Sequence, residues 1–400
     1  MTEANPWKRL FSRTFDTELG RLHFAAHSHH PWPDVSLDAQ QRAWHDAARL
    51  LDDKWGAVMG ELLPRAQGHV ARTLGWSRPE CIAFAPNTHE FVLRILSCLE
   101  GDGPHRILST DGEFHSFARQ TARLEEAGRI EVERIPTEPF ETFPSRFAAA
   151  ARAGRHDLIF VSQVFFNSGY VYREVFDLAR EIDESTYFVV DGYHGFMALP
   201  TDLGPVEDRI FYLSGGYKYA MSGEGVCFVC VPPGYAARPE NTGWFASFGA
   251  LAGPRDDASV PFSNDGYRMF GSTFDPTGLY RLVAVMDMLD EEGISVKAIH
   301  DHVTALQRSF LERLDGSPGL KAVGLQPDAL IPGTEFAERG HFLTFRAAFA
   351  GDSYALLKTA HVITDYRDDR WRFGFGIYQD QSDLDELFRR IQSTEVPLRG

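Results

Sequence analysis

The chain has 400 residues, with 56 acidic against 40 basic side chains and a formal net charge of −16. That balance argues against a nucleic-acid partner or an anionic membrane surface. A 44% hydrophobic, 24% charged composition describes a soluble globular protein with a substantial core.

The amino terminus, MTEANPWKRLF, lacks an apolar signal core, and no stretch reaches transmembrane length. A cytoplasmic location with reduced thiols is expected. Residues 1 to about 35 read as an irregular arm containing His27-Ser28-His29-His30-Pro31. Three close histidines invite a metal, but the prolines and the missing acidic or Cys partner favour a loop. A helical pattern runs from about Leu37 to Leu74, with Trp55-Gly56 as its weak point.

From Cys81 to Val231 short apolar runs alternate with helical ones. The expected strands are Cys81–Ala85, Arg106–Ser109, Ile130–Arg134, Leu158–Ser162, Tyr187–Val190, Arg209–Leu213 and Val226–Val231. The expected helices are Glu90–Leu99, Ser116–Glu126, Arg146–Arg152 and Glu174–Ile182. This alternation predicts an α/β fold with a mostly parallel seven-stranded sheet. In such sheets ligands sit beyond the carboxyl ends of the strands. Cys227 and Cys230 form C-x-x-C inside an apolar run with no second ligand pair, so they read as buried small residues rather than zinc ligands. Beyond the sheet come a helical run at Tyr280–Leu289, further helices at Val296–Leu314 and Ser353–Ala360, and strands at Phe342–Arg346, Val362–Asp365 and Trp371–Phe375. The domain division expected is an arm and helix (1–50) joining a small α+β domain (286–400), around a large domain (51–285).

The chemistry concentrates between Tyr187 and Gly225. One strand ends on Asp191, with His194 three residues on; the next runs into Ser214-Gly215-Gly216-Tyr217-Lys218. Asp at a strand end is ordinarily a turn residue, and Lys in a glycine-rich loop is ordinarily solvated. The combination is more specific, because Lys218 alone among six lysines closely follows a strongly apolar β-like run. A titratable amine at one strand end and a carboxylate at its neighbour suit pyridoxal 5'-phosphate. The amine would hold the aldehyde, and the carboxylate would pair with the pyridine nitrogen. Asn87 or Thr88 would cap a helix whose free N–H groups make a ready anion site, an ordinary cap being the alternative. Arg370 and Arg372 share a face if Trp371 lies in a strand, and arginine is the planar fork a carboxylate requires.

Asp191-x-x-His194, the following strand and Tyr217-Lys218-Tyr219 resemble kynureninase, within the class V aminotransferase group of fold-type-I enzymes. The resemblance runs from about residue 80 to 380. It implies that Lys218 carries the cofactor, Asp191 meets the ring nitrogen and His194 lies beside it. It also implies phosphate contacts from Asn87 and Thr88, stacking by Phe114, a hydroxyl contact from Ser116 and an acid–base role for Tyr217. Arg372 would bind the substrate α-carboxylate, with Asn167 and His29 near the substrate. Trp244, Ser272 and Thr273 match loops that reach the partner's site in a homodimer. The activity implied is hydrolytic Cβ–Cγ cleavage of a γ-oxo amino acid, releasing alanine. A class V aminotransferase is the alternative, and a non-catalytic cofactor-binding protein a third. A cysteine desulfurase fits less well, because no cysteine follows Cys230.

Overall fold

The computed structural model describes residues 5–15, 20–101, 103–250, 259–315, 325–334 and 338–393. Thirteen strands are seen among them. They are β1 (Leu22–His23), β2 (Ile82–Ala85), β3 (His105–Thr110), β4 (Ile130–Ile135), β5 (Leu158–Ser162), β6 (Tyr187–Asp191), β7 (Ile210–Gly215), β8 (Cys227–Cys230), β9 (Leu330–Ile331), β10 (Phe342–Arg346), β11 (Val362–Ile363), β12 (Asp365–Arg367) and β13 (Arg370–Gly374).

The large sheet has the order β2-β8-β7-β6-β5-β3-β4. β8 runs antiparallel to both neighbours, while the β3–β4, β3–β5, β5–β6 and β6–β7 pairs are parallel. β2 therefore points the same way as β7, and one reversed strand sits in an otherwise parallel sheet. The inner strands β5, β7 and β8 are buried at every position, as expected where helices cover both faces. Cys227 and Cys230 lie in β8 as buried free thiols. All seven strands expected from the sequence form, and the carboxyl ends of β2, β3, β5, β6 and β7 emerge at one edge.

The long helical pattern near the amino terminus is broken in the fold. A helix covers Val35–Leu50, Leu51 turns back with φ +50°, a π turn spans Val58–Leu62, and Leu63–Leu74 resumes. The expected helix over 90–99 forms at Thr88–Leu96, and that over 280–289 extends to Thr277–Glu291.

A second core gathers Leu22, Phe24, Phe310, Phe345, Trp371, Phe373 and Phe388. It lies under a sheet of order β12-β13-β10-β9. The single strand expected at Val362–Asp365 is split: β11 pairs with β1, and β12 pairs with β13. The arm thus joins the small domain through β1 and through a bridge from Ala25 to Gly374. Its strand and the short β9 were too brief for an alternating pattern to reveal. The Gln381–Ser393 helix completes this core through Leu384, Leu387, Phe388 and Ile391.

Candidate active site

A cavity of about 1100 Å³ opens at the carboxyl edge of the large sheet. Lys218 lies at its floor because β7 ends in Gly215-Gly216. A Cβ on Gly215 would come within 2.5 Å of Cys227 Sγ, and one on Gly216 within 2.7 Å of Val226 Cγ1. Only glycine lets the chain pass β8 this closely and deliver the lysine. Lys218 Nζ bonds His194 Nε2 and sits 5.2 Å from the Tyr193 ring and 5.7 Å from the Phe114 ring. Burial pushes the amine down to about 7, against the pull of Asp191; Arg372 adds to the fall.

Asp191 ends β6 beside Ser162 of β5. One carboxylate oxygen accepts the Tyr193 N–H at 2.9 Å. Burial raises this carboxyl, offset in part by that bond and by Lys218. His194 is buried with Nδ1 unbonded, and burial followed by the charge of Lys218 drives it well below its usual range.

Arg372 is 3% exposed on β13 and also lines the cavity. It donates to Asp365 and, at 2.5 Å, to the Phe166 carbonyl, leaving Nε without a partner. Asp365 is pushed up by burial, but His27, Arg372 and Arg367 outweigh this and hold it below the usual carboxylate range. Arg370, expected to share the face of Arg372, is drawn away to Glu138 at 2.7 Å.

His27, from the arm, is the cluster member that matters most here. It is 1% exposed, stacks on Phe342 at 4.7 Å between centroids and places Nε2 3.5 Å from Asp365. Neither ring nitrogen has a hydrogen-bond partner. Burial pushes it down to about 3, so it faces the cavity as a neutral imidazole. The sequence flagged the cluster but could not single out His27, because its partner Asp365 lies 338 residues away (365 − 27).

Of the residues expected from the sequence, Asn87, Thr88, Phe114, Ser116, Asp191, His194, Tyr217, Lys218 and Arg372 all line this one cavity. The others fall elsewhere. Asn167 is not on the wall: Phe166 occupies it, and the Asn167 carbonyl is tied to Arg370 at 3.2 Å. His29 is exposed beyond the lining, edge-on to Tyr217 at 5.5 Å and 4.0 Å from Glu224. Trp244, Ser272 and Thr273 are exposed and line no part of this chain's cavity, because the turn that carries Trp244 packs Phe245 against Trp55 instead. Asn87 spends its side-chain oxygen on capping, accepting the Glu90 N–H at 3.1 Å.

These residues fit pyridoxal 5'-phosphate. Asp191 is a desolvated carboxylate with acceptor capacity to spare, suited to a protonated ring nitrogen. His194 offers an unbonded buried nitrogen, and the Thr88–Leu96 helix presents its amino terminus to the same cavity.

Residues 53–387 match the model of the aminotransferase class-V family, and the chain belongs to that family. Members use pyridoxal 5'-phosphate. Isopenicillin N epimerase of Streptomyces clavuligerus is 30% identical over 230 residues, 55% of this chain and 53% of that protein. A probable cysteine desulfurase of Chlamydia muridarum (strain MoPn / Nigg) is 26% identical over 209 residues, 49% of this chain and 48% of that protein. The chain's matches thus span about half the length of these curated relatives. Among solved structures, a complex of the cystine C-S lyase C-DES with cysteine persulfide superposes with a TM-score of 0.77 at 17% identity, covering 96% of this chain and 99% of that one. The apo cysteine desulfurase of Thermococcus onnurineus NA1 gives 0.74 at 15% identity, over 94% and 95%. These likenesses establish the fold-type-I architecture. The named relatives carry different reactions, and none of them is a kynureninase.

Proposed function

We infer that the protein removes the α-proton of a small amino acid and then cleaves its side chain hydrolytically beyond Cβ, releasing alanine. The convergence of Lys218, Asp191 and Arg372 on one cavity carries the α-proton removal from an amino acid, and the resemblance of the Asp191, Lys218 and Arg372 segments to kynureninase supports the hydrolytic outcome. The cofactor, when bound, supplies the electron sink. Arg372, aligned by Asp365 and the Phe166 carbonyl, receives the α-carboxylate, with the neutral His27 imidazole lining the cavity beside it. Lys218, shifted to about 7 by burial, is a competent base at neutral pH. The partly exposed Tyr217 phenol next to it is positioned to serve as the acid–base group for water adding to a γ-carbonyl.

The thiols favour this over sulfur transfer to an enzyme cysteine. All four are buried. Cys227 reaches the cavity wall, but it faces the Tyr193 hydroxyl at 3.3 Å, and burial pushes it up to about 12. It is not a thiolate nucleophile.

The test is product analysis on the purified, cofactor-loaded protein with γ-oxo amino acids and with cystine. Catalytic alanine from a γ-oxo amino acid, with no acceptor present, supports the hydrolase. A requirement for a 2-oxo acid replaces it with amino transfer, and turnover of cystine alone replaces it with carbon–sulfur cleavage. Binding without turnover of either substrate class would leave a cofactor-binding protein.

Two copies of the chain are proposed to act together. Leu37 and Trp44, seven residues apart on the Val35–Leu50 helix, are 47% and 69% exposed, and Leu51 just beyond is 72% exposed. This apolar stripe, with the outward Trp244, Ser272 and Thr273, supports a homodimer whose loops approach the partner's cavity.

A further inference from the structure

Glu113 is a buried carboxyl, 5% exposed, that the proposed reaction does not use. It follows β3, in the turn Asp111-Gly112-Glu113, and reaches across to the end of β5. Gly112 is required there, since a Cβ would lie 2.8 Å from Thr137 Cγ2 and 3.0 Å from Phe165. Glu113 Oε1 takes two contacts, from the Thr110 hydroxyl at 2.8 Å and from the Ser162 N–H at 3.2 Å. Oε2 meets only the Ser162 hydroxyl, at 2.6 Å.

The two oxygens are therefore unlike. Oε1 accepts from a backbone N–H, which cannot reverse, and so acts as the carbonyl oxygen. Oε2 faces a hydroxyl that can either donate or accept. Ser162 itself lines the cavity and pairs in register with Asp191.

We propose that Glu113 is a positioning residue, held as a neutral acid whose Oε2–H donates to Ser162 and turns the serine hydrogen into the cavity. Ser162 then presents a donor to an oxygen of the bound cofactor or substrate at the carboxyl end of β5. Were Glu113 ionised, Oε2 would draw that hydrogen back, and the cavity would lose the donor.

The environment agrees. Burial pushes Glu113 up to about 8, partly offset by the Ser162 and Thr110 hydroxyls, and the negative charge of Asp191 adds to the rise. Asp191 is the ionisable neighbour that acts on it, because Asp111 in the same turn is directed to Thr137 at 2.8 Å.

Glu113→Gln separates the two states. The amide keeps a carbonyl for Thr110 and the Ser162 N–H, and its NH₂ donates to Ser162 at every pH. Cofactor affinity is measured by titrating the apoprotein with pyridoxal 5'-phosphate between pH 6 and pH 9. The wild type should lose about three- to tenfold in affinity, relative to E113Q, as pH rises through about 8. Ser162→Ala should be weaker by a similar factor throughout, with no difference between S162A and S162A/E113Q.

Apoprotein melting gives a second readout independent of ligand. A carboxyl raised in the folded state stabilises below its unfolded value near 4.5 and loses that contribution as pH rises through about 8. E113Q should therefore melt increasingly above the wild type from pH 6 to about pH 8 and by a steady margin above that. Parallel affinity and melting profiles for wild type and E113Q would overturn the proposal, as would an E113Q variant as weak as S162A at pH 6.

Discussion

At the scale of single residues, the site is governed by what burial does to charge. The Lys218 amine must be neutral to capture an aldehyde, and its environment brings it to about 7 from the ordinary 10.5. The rate of cofactor capture by apoprotein should climb about tenfold per pH unit below pH 7 and level off above it. A rate still climbing at pH 9 would contradict this. Lys218→Ala should leave the cofactor reversibly held, with nothing fixed to the chain by borohydride; mass spectrometry decides it.

Arg372 contributes through its planar fork, so Arg372→Lys should raise KM about tenfold or more with a smaller change in kcat. Equal losses in both would move Arg372 from ground-state binding to the reacting centre. Asp365 and His27 are two of the buried groups whose titration lowers stability in acid. His27 is depressed, so its neutral form stabilises fully above about 6.5, and that contribution is lost as pH falls below it. Asp365 is depressed too, and its contribution is lost only below its ordinary value near 3.8. His23, His30 and His194 are depressed by burial as well, so the melting temperature should fall below about pH 6.5 through several histidines together, with Asp365 adding to the fall only below about 3.8. His27→Gln should make the melting temperature fall less steeply between about pH 6.5 and pH 3 than in the wild type, and an unchanged slope in that variant would refute the assignment.

At the scale of elements, the arm is what completes the cavity beside Arg372. It docks through the Phe24 carbonyl, which accepts the Gly374 N–H at 2.7 Å. The approach is too close for a side chain: a Cβ on Gly374 would lie 2.2 Å from His27 Nδ1 and 2.8 Å from the Ala26 nitrogen. Gly374→Ala should cost about 1–3 kcal/mol through overpacking. It should also displace His27 and raise KM, although Gly374 touches no substrate. Unaltered melting and KM would mean that the arm docks without help from this contact. The Thr88–Leu96 helix shows how far sequence reasoning reached. A cap at Asn87 or Thr88 was legible, and the structure decides for Asn87, whose side-chain oxygen accepts the Glu90 N–H. Asn87→Ala should accordingly cost about 1 kcal/mol of stability.

At the scale of the whole molecule, the exposed Leu37–Trp44–Leu51 stripe argues for a second copy. Light scattering should give twice the 45.0 kDa chain mass, and Leu37→Glu with Trp44→Glu should shift it toward the monomer. A doubly substituted protein that remains dimeric would place the interface elsewhere. Among the described residues no helix is long and apolar enough to cross a membrane.

The sequence by itself determined the parts whose physics is local or periodic. Most strands of the large sheet were readable because strands buried on both faces are short continuous apolar runs, whereas the edge strand β4 is largely exposed and interleaves its apolar residues with charged ones. Asp191, Lys218 and Thr88 were readable because each follows such a run directly, so their shared edge followed from the parallel topology. Spacing about Trp371 put Arg370 and Arg372 on one face, and only the resemblance of the segment to kynureninase singled out Arg372. The tertiary structure alone decided which histidine of the arm faces the cavity, that Asp365 locks Arg372, that Arg370 leaves for Glu138 and that Asn167 is turned off the wall. It alone joined Glu113 to Ser162 across two strands. Each of these depends on contacts between segments distant in sequence, and on desolvation, which is a property of the assembled cavity and of no single stretch of chain.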